Sequence, residues 1–164
     1  MSGIGLINAL GEDEARRVLA GCCASSAWVG AVTEGRPYPS RDALLASSDA
    51  AVAALDETGL RQALDGHPRI GSATRPGSQS AAEQAGVAAA AAGLLRDLAE
   101  ANAAYERRFG HIYLVCASGR SAADLLGVLR ERLGNDQRTE WGVVAAELAK
   151  INRIRLRALL GDQP

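Results

Sequence analysis

Two histidines, His67 and His111, are the only imidazoles in a chain of 164 residues. His67 stands in Gly66-His67-Pro68-Arg69-Ile70-Gly71. A residue before proline is pushed out of the helical region, and Gly66 suits the left-handed position just past a helix end. His67 is therefore expected to leave a helix in an extended conformation, on a loop held by Pro68 and Gly71. The dipole at the end of the preceding helix would favour its charged form. A loop histidine held in this way suits proton transfer. The same spacing describes a plain helix stop with an exposed histidine, and spacing alone favours that plainer explanation.

A second constellation, Ser80-Ala81-Ala82-Glu83-Gln84, opens a dozen residues further on. It fits a capping box, with Ser80 capping a helix and Glu83 reaching back. Capping alone accounts for both residues. The same geometry also puts Ser80, Glu83 and Gln84 on one helix face. They stand at a helix N-terminus, where backbone N–H groups favour an anion. A third candidate is the arginine-rich segment Lys150-Ile151-Asn152-Arg153-Ile154-Arg155-Leu156-Arg157. Leu148, Ile151, Arg155 and Leu159 fall near one face at spacings of three and four. A guanidinium on an inward face suits bidentate binding of a carboxylate or a ring carbonyl. Arg155 could equally form a structural ion pair with Glu83 or another acid. Lys150, Arg153 and Arg157 read as a solvated face.

The elements that must position these groups are helical. Alanine, leucine, glutamate and arginine, the strongest helix formers, dominate the chain. Helices are expected at Glu12–Cys23, with the core set Ala15, Val18, Leu19 and Cys22, and at Ser26–Glu34, Ser40–Leu55 and Glu57–Asp65. Others are expected from Gln79 to about Arg108 and at Ser121–Leu133 and Arg138–Leu160. Ser40 reads as an N-cap and Ser121 with Asp124 as a capping pair. Gly66 to Ser78 reads as a long irregular loop. His111 to Ala117 is the one strand-like run. Asn102, Tyr105 and Phe109 read as a packing seam with one polar member, and Trp28 and Trp141 as core anchors. The fold class expected is all-α, a single-domain bundle of about seven to nine helices over residues 1–164.

Composition narrows the function. Lysine plus arginine number 18 against 19 acids, for a net charge of −1, and aromatics make up 4% of the chain. Neither a one-sign field nor stacking platforms recommend a nucleic-acid partner. No long apolar run suggests a membrane span. Cys22, Cys23 and Cys116 are odd in number, without disulfide or metal spacing. No signal peptide or peroxisomal tripeptide is seen, so a reducing cytoplasm is expected. A non-catalytic helical module that binds a small ligand is the rival to an enzyme.

Taken in order, several runs resemble the 2-oxo-4-hydroxy-4-carboxy-5-ureidoimidazoline (OHCU) decarboxylase family. They are His67-Pro68-Arg69-Ile70-Gly71, Ser80-Ala81-Ala82-Glu83-Gln84-Ala85-Gly86, Asn102 with Tyr105, Phe109-Gly110, Gly119-Arg120-Ser121, Arg132-Leu133-Gly134-Asn135 and Ile151 to Leu156. Cys22 or Cys23, Trp28 and Arg36-Pro37 also fall where the family places similar residues. The resemblance covers nearly the whole chain. His111 departs from it, since the family usually has a larger apolar or aromatic residue there. The resemblance implies an all-α fold, usually a homodimer, and a small-molecule ureidoimidazoline as substrate. It implies decarboxylation of OHCU to (S)-allantoin in urate degradation, with no metal or organic cofactor. His67 and Glu83 would be catalytic. Pro68, Ser80, Gln84 and Arg155 would bind substrate, with the Ile112 to Ala117 stretch, including Ile112 and Val115, completing the pocket. The family's substrate-binding arginine falls on Arg153 or Arg155, and the segment Ile154-Arg155-Leu156 favours Arg155.

Overall fold

The computed structural model describes residues 3–70 and 88–162. The loop expected after Gly71 and the start of the long helix, with Ser80, Glu83 and Gln84, lie outside the described residues. Eight α-helices are seen among the described residues, and no strand. They are α1 (Gly3–Ala9), α2 (Glu12–Ala20), α3 (Ser26–Glu34), α4 (Arg41–Ala53), α5 (Glu57–Asp65), α6 (Ala88–Phe109), α7 (Ala122–Arg132) and α8 (Gln137–Leu159). None of them is long and apolar enough to cross a membrane. The chain, read above as one domain, forms two compact units: Met1–His67 with Trp141–Pro164, and Pro68–Glu140.

In the first unit α3 packs against α2, α4 and α5. Its N-terminus is fixed by Ser25, whose side chain accepts from the Trp28 N–H. Trp28 is fully buried, and its indole N–H donates to Ser48 on α4 at 3.3 Å. The amphipathic α5 begins at Asp56, which accepts from the Gly59 N–H. It buries Leu60, Ala63 and Leu64. Ser40 caps α4 as its sequence predicts. The α1 helix carries no sequence signal of its own. Arg36 donates to the Ile7 and Leu10 carbonyls at its C-terminal end, at 3.0 and 2.7 Å. That contact gives the Arg36-Pro37 pair a structural role.

In the second unit α6 packs against α7. The core joins Leu98, Tyr105 and Phe109 of α6 to Leu125, Leu126 and Leu129 of α7. Tyr113 and Val115 enter the same core from the run expected as strand-like. That run has no regular structure. Hydrogen bonds pin it, among them that of the Tyr113 hydroxyl to the Leu125 carbonyl and that of Arg132 to the Leu114 carbonyl. Ser121 and Asp124 form the expected capping box of α7.

Three local expectations are corrected. The α2 helix ends at Ala20, short of Cys23, and Val18 is half-buried rather than in the core. On α8 the buried row is Val144, Leu148, Asn152 and Leu156, at a strict spacing of four, and Leu159 is exposed. Gly66 is not left-handed, with φ −85°. What it needs is space, because a Cβ there would stand 2.9 Å from the Ala24 Cβ. Gly66→Ala is therefore expected to lower stability by about 1–3 kcal/mol, as overpacking does. Thermal unfolding followed by far-UV circular dichroism reads it; an unchanged midpoint would show that the Ala24 turn yields freely.

Candidate active site

The end of α5 delivers His67. The Gly66 N–H donates to the Ala63 carbonyl and the His67 N–H to the Leu64 carbonyl, at 3.2 and 2.9 Å. These bonds turn the chain and leave the imidazole half-buried. From α8, Arg155 comes to meet it. One guanidinium nitrogen (Nη1) donates to the Cys22 carbonyl at 2.9 Å. The other (Nη2) lies 3.3 Å from His67 Nδ1. The backbone carbonyl thus steadies the guanidinium against the imidazole.

The electrostatics correct the expectation of a charged histidine. Burial first, and the Arg155 guanidinium second, push the His67 pKa down to about 4. The helix dipole's preference for a cation is worth less than these two effects combined. His67 is neutral at neutral pH. Its Nε2 is buried and has no hydrogen-bond partner among the described residues. A buried imidazole nitrogen without a partner costs free energy unless something binds there. The neighbouring thiols are not candidate nucleophiles. Burial raises the pKa of both Cys22 and Cys23, although the Arg155 charge opposes it.

The alternative arginine is engaged elsewhere. Arg153 makes a two-point contact with Asp49 on α4, at 2.8 and 3.0 Å from Nε and 2.6 Å from Nη2. Of the two candidates, Arg155 is the one brought to His67. No acid among the described residues pairs with Arg155, and an ion pair with Glu83 concerns a residue outside them. Pro68 follows His67 and is exposed. In the second unit Ile112 is half-buried, whereas the Val115 side chain is committed to the core. From Val115 only backbone groups remain to meet a ligand.

The second unit holds a buried polar cluster whose acid, Glu140, sequence patterns did not single out. Glu140 is fully buried and Arg132 nearly so. Arg132 Nε donates to Glu140 at 2.7 Å, and Asn135 donates to its second oxygen at 3.0 Å. The Tyr105 hydroxyl donates to the same carboxylate. Burial, then this hydrogen bond, pushes the Tyr105 pKa far up, so the phenol stays a donor. The Tyr113 ring faces the guanidinium at 4.9 Å. Arg132, Asn135 and Tyr105 thus all serve to satisfy the buried Glu140 carboxylate. Asn102 donates to the Ile70 carbonyl at 3.2 Å, and Arg69 pairs with Glu106 at 2.6 Å. These two bonds tie the segment after His67 to α6. They border a cleft of about 220 Å³ whose apolar walls are Ile70, Leu95 and Leu98. His111 is buried, with its Nδ1 3.0 Å from the Ile112 carbonyl and its ring edge-on to Tyr105.

Fold and site together define an all-α protein whose candidate acid–base group is a neutral, half-buried histidine backed by a guanidinium. No cluster of three metal-ligating side chains occurs among the described residues. The profile of the OHCU decarboxylase family matches residues 8–157, and the chain belongs to that family. It is 32% identical over 161 residues to the uric acid degradation bifunctional protein TTL of Arabidopsis thaliana, covering 94% of this chain and 48% of that one. The chain thus spans about half the length of that relative. It is 29% identical over 136 residues to the OHCU decarboxylase of Amia calva, covering 79% and 78%. A crystal structure of OHCU decarboxylase in the presence of (S)-allantoin superposes with a TM-score of 0.73 at 30% identity, covering 93% of this chain and all of that one.

Proposed function

We propose that the chain decarboxylates OHCU to (S)-allantoin, with His67 at the reacting end of the substrate. One observation carries the assignment of His67. His67, the histidine in the family-like run, has a guanidinium 3.3 Å from its Nδ1 and a buried Nε2 without a partner among the described residues.

The substrate has a carboxylate and a hydroxyl on one carbon, next to a ring C=N bond. When CO₂ leaves, the C=N group takes up the electron pair, so the substrate supplies its own electron sink. The protein has to hold one conformer, stabilise developing charge and direct a proton to one face. His67 Nε2 meets the reacting carbon's oxygens. Glu83 grips the hydroxyl and orients it, or steers His67. Ser80 and Gln84 hold the ring or ureido groups, and Pro68 and the backbone of Ile112 to Ala117 are further candidate substrate contacts. The Arg155 guanidinium adds attraction for an anionic substrate. The reading extends to a homodimer acting in the cytoplasm, which light scattering and cell fractionation check.

The test generates the unstable substrate in situ from urate and follows circular dichroism with and without the protein. Spontaneous decay gives racemic allantoin. Fast loss of the intermediate with a persistent (S)-allantoin signal is expected. Decay at the spontaneous rate to an optically silent product would leave a ligand-binding module in its place. Release of ammonia or urea instead of CO₂ would point to a ureide hydrolase.

A further inference from the structure

We propose that Arg155 acts on the reaction through His67, as a positioning residue: by donating to Nδ1 it locks the neutral imidazole in the tautomer that carries its proton on Nε2. His67 then meets the substrate as a neutral hydrogen-bond donor, neither a free base at Nε2 nor an imidazolium. This rests on the assignment of His67 to the reacting end and says how that group is set.

The geometry leaves little choice. Arginine keeps its protons in proteins and has no acceptor. At 3.3 Å from Nη2, Nδ1 is therefore the acceptor and holds a lone pair. A neutral imidazole with a lone pair on Nδ1 must carry its hydrogen on Nε2. The guanidinium cannot readily turn away, because Nη1 is tied to the Cys22 carbonyl. Protonating Nδ1 would break that contact and set two cations side by side. Among the described residues Arg155 is the charged group that acts on His67; Asp65, two residues before it, is exposed. The Cys22 and Cys23 thiols around the guanidinium are held protonated by burial and bring no opposing charge. The donor so created, Nε2–H, is buried and has no partner among the described residues. An oxygen on the substrate's reacting carbon is the acceptor that it fits. Arg155 thereby links recognition of an anion to the form of the catalytic group.

Long-range proton–nitrogen NMR reads the tautomer directly, without substrate. With only two histidines in the chain, the His67 signals are identified by their loss in His67→Asn. The unliganded protein at neutral pH is expected to show an unprotonated Nδ1 and a protonated Nε2, and to keep that pattern below pH 6.5, the ordinary histidine value. In Arg155→Gln the midpoint should rise, though not fully to the ordinary value, since burial remains, and the nitrogen pattern should become mixed. Arg155→Lys, which keeps the charge but loses the fork, should fall between. A proton on Nδ1 in the parent protein at neutral pH, or an unchanged pattern in a folded Arg155→Gln, would overturn the proposal. If Arg155→Gln does not fold, the parent spectrum alone decides the tautomer and Arg155→Lys the role of the arginine. Because no turnover is measured, this outcome stands apart from the decarboxylase assay.

Discussion

His67→Asn is expected to lose about 10²–10³-fold in kcat, the usual contribution of one preorganised hydrogen-bond donor to developing charge. The folded state should survive. The asparagine side-chain oxygen can accept from Arg155 as Nδ1 does, and the Cys22 carbonyl still steadies the guanidinium. Melting at neutral pH should therefore move little. Its pH dependence should change in a stated direction. The folded pKa of His67, about 4, lies below its unfolded value of 6.5. Between these values the unfolded chain binds more protons than the folded one. Stability that His67 contributes above pH 6.5 is thus lost as the pH falls through the window. His67→Asn removes this loss, so its stability should fall less steeply from pH 6.5 to pH 4. Turnover near that of the parent would take His67 out of the reaction. A large loss of stability at neutral pH would make it a structural residue instead.

The parts of the fold that were legible in the sequence are those written locally. The bounds of α3 and α5 follow from apolar spacing and nearby stop signals, and the Ser40 and Ser121 caps bind N–H groups only three residues on. What was illegible depends on distant partners. The α1 helix is held at its end by Arg36, and its first residue, Gly3, lies where a Cβ would strike the Leu160 backbone. The inward phase of α8 was misread because a row at a strict spacing of four carries the polar Asn152 among apolar residues. The candidate site divides in the same way. That His67 leaves a helix end was readable from Gly66 and Pro68. Its protonation was not, because the guanidinium comes from a position 88 residues later and its anchor from 133 residues before that arginine. Local sequence offered only the helix dipole, which predicts the opposite charge. Likewise the segment Ile154-Arg155-Leu156 favours Arg155 over Arg153, but what separates them physically, the engagement of Arg153 by Asp49, comes from a distant helix.

The buried Arg132–Glu140 pair should show the largest stability effects in the chain. Arg132→Met leaves Glu140, fully buried, with only the neutral donors Tyr105 and Asn135, and leaves the Leu114 carbonyl without that donor. Glu140→Leu leaves the guanidinium of Arg132 buried without its counter-charge. Breaking such a pair from one side costs about 3–5 kcal/mol, because the surviving charge is not resolvated. The double variant Arg132→Met/Glu140→Leu removes both charges together. Replacing a buried pair with apolar groups is often neutral or stabilising. It should therefore be more stable than either single variant, while still lacking the Leu114 bond. Urea unfolding of the parent and the three variants closes the cycle and isolates the coupling. Simple addition of the two single losses in the double variant would mean that the charges act independently. Two near-neutral single variants would mean that water reaches the pair once it is broken. The expected non-additivity would show that Arg132, Asn135 and Tyr105 serve the fold by satisfying a buried charge beside the Leu114 backbone.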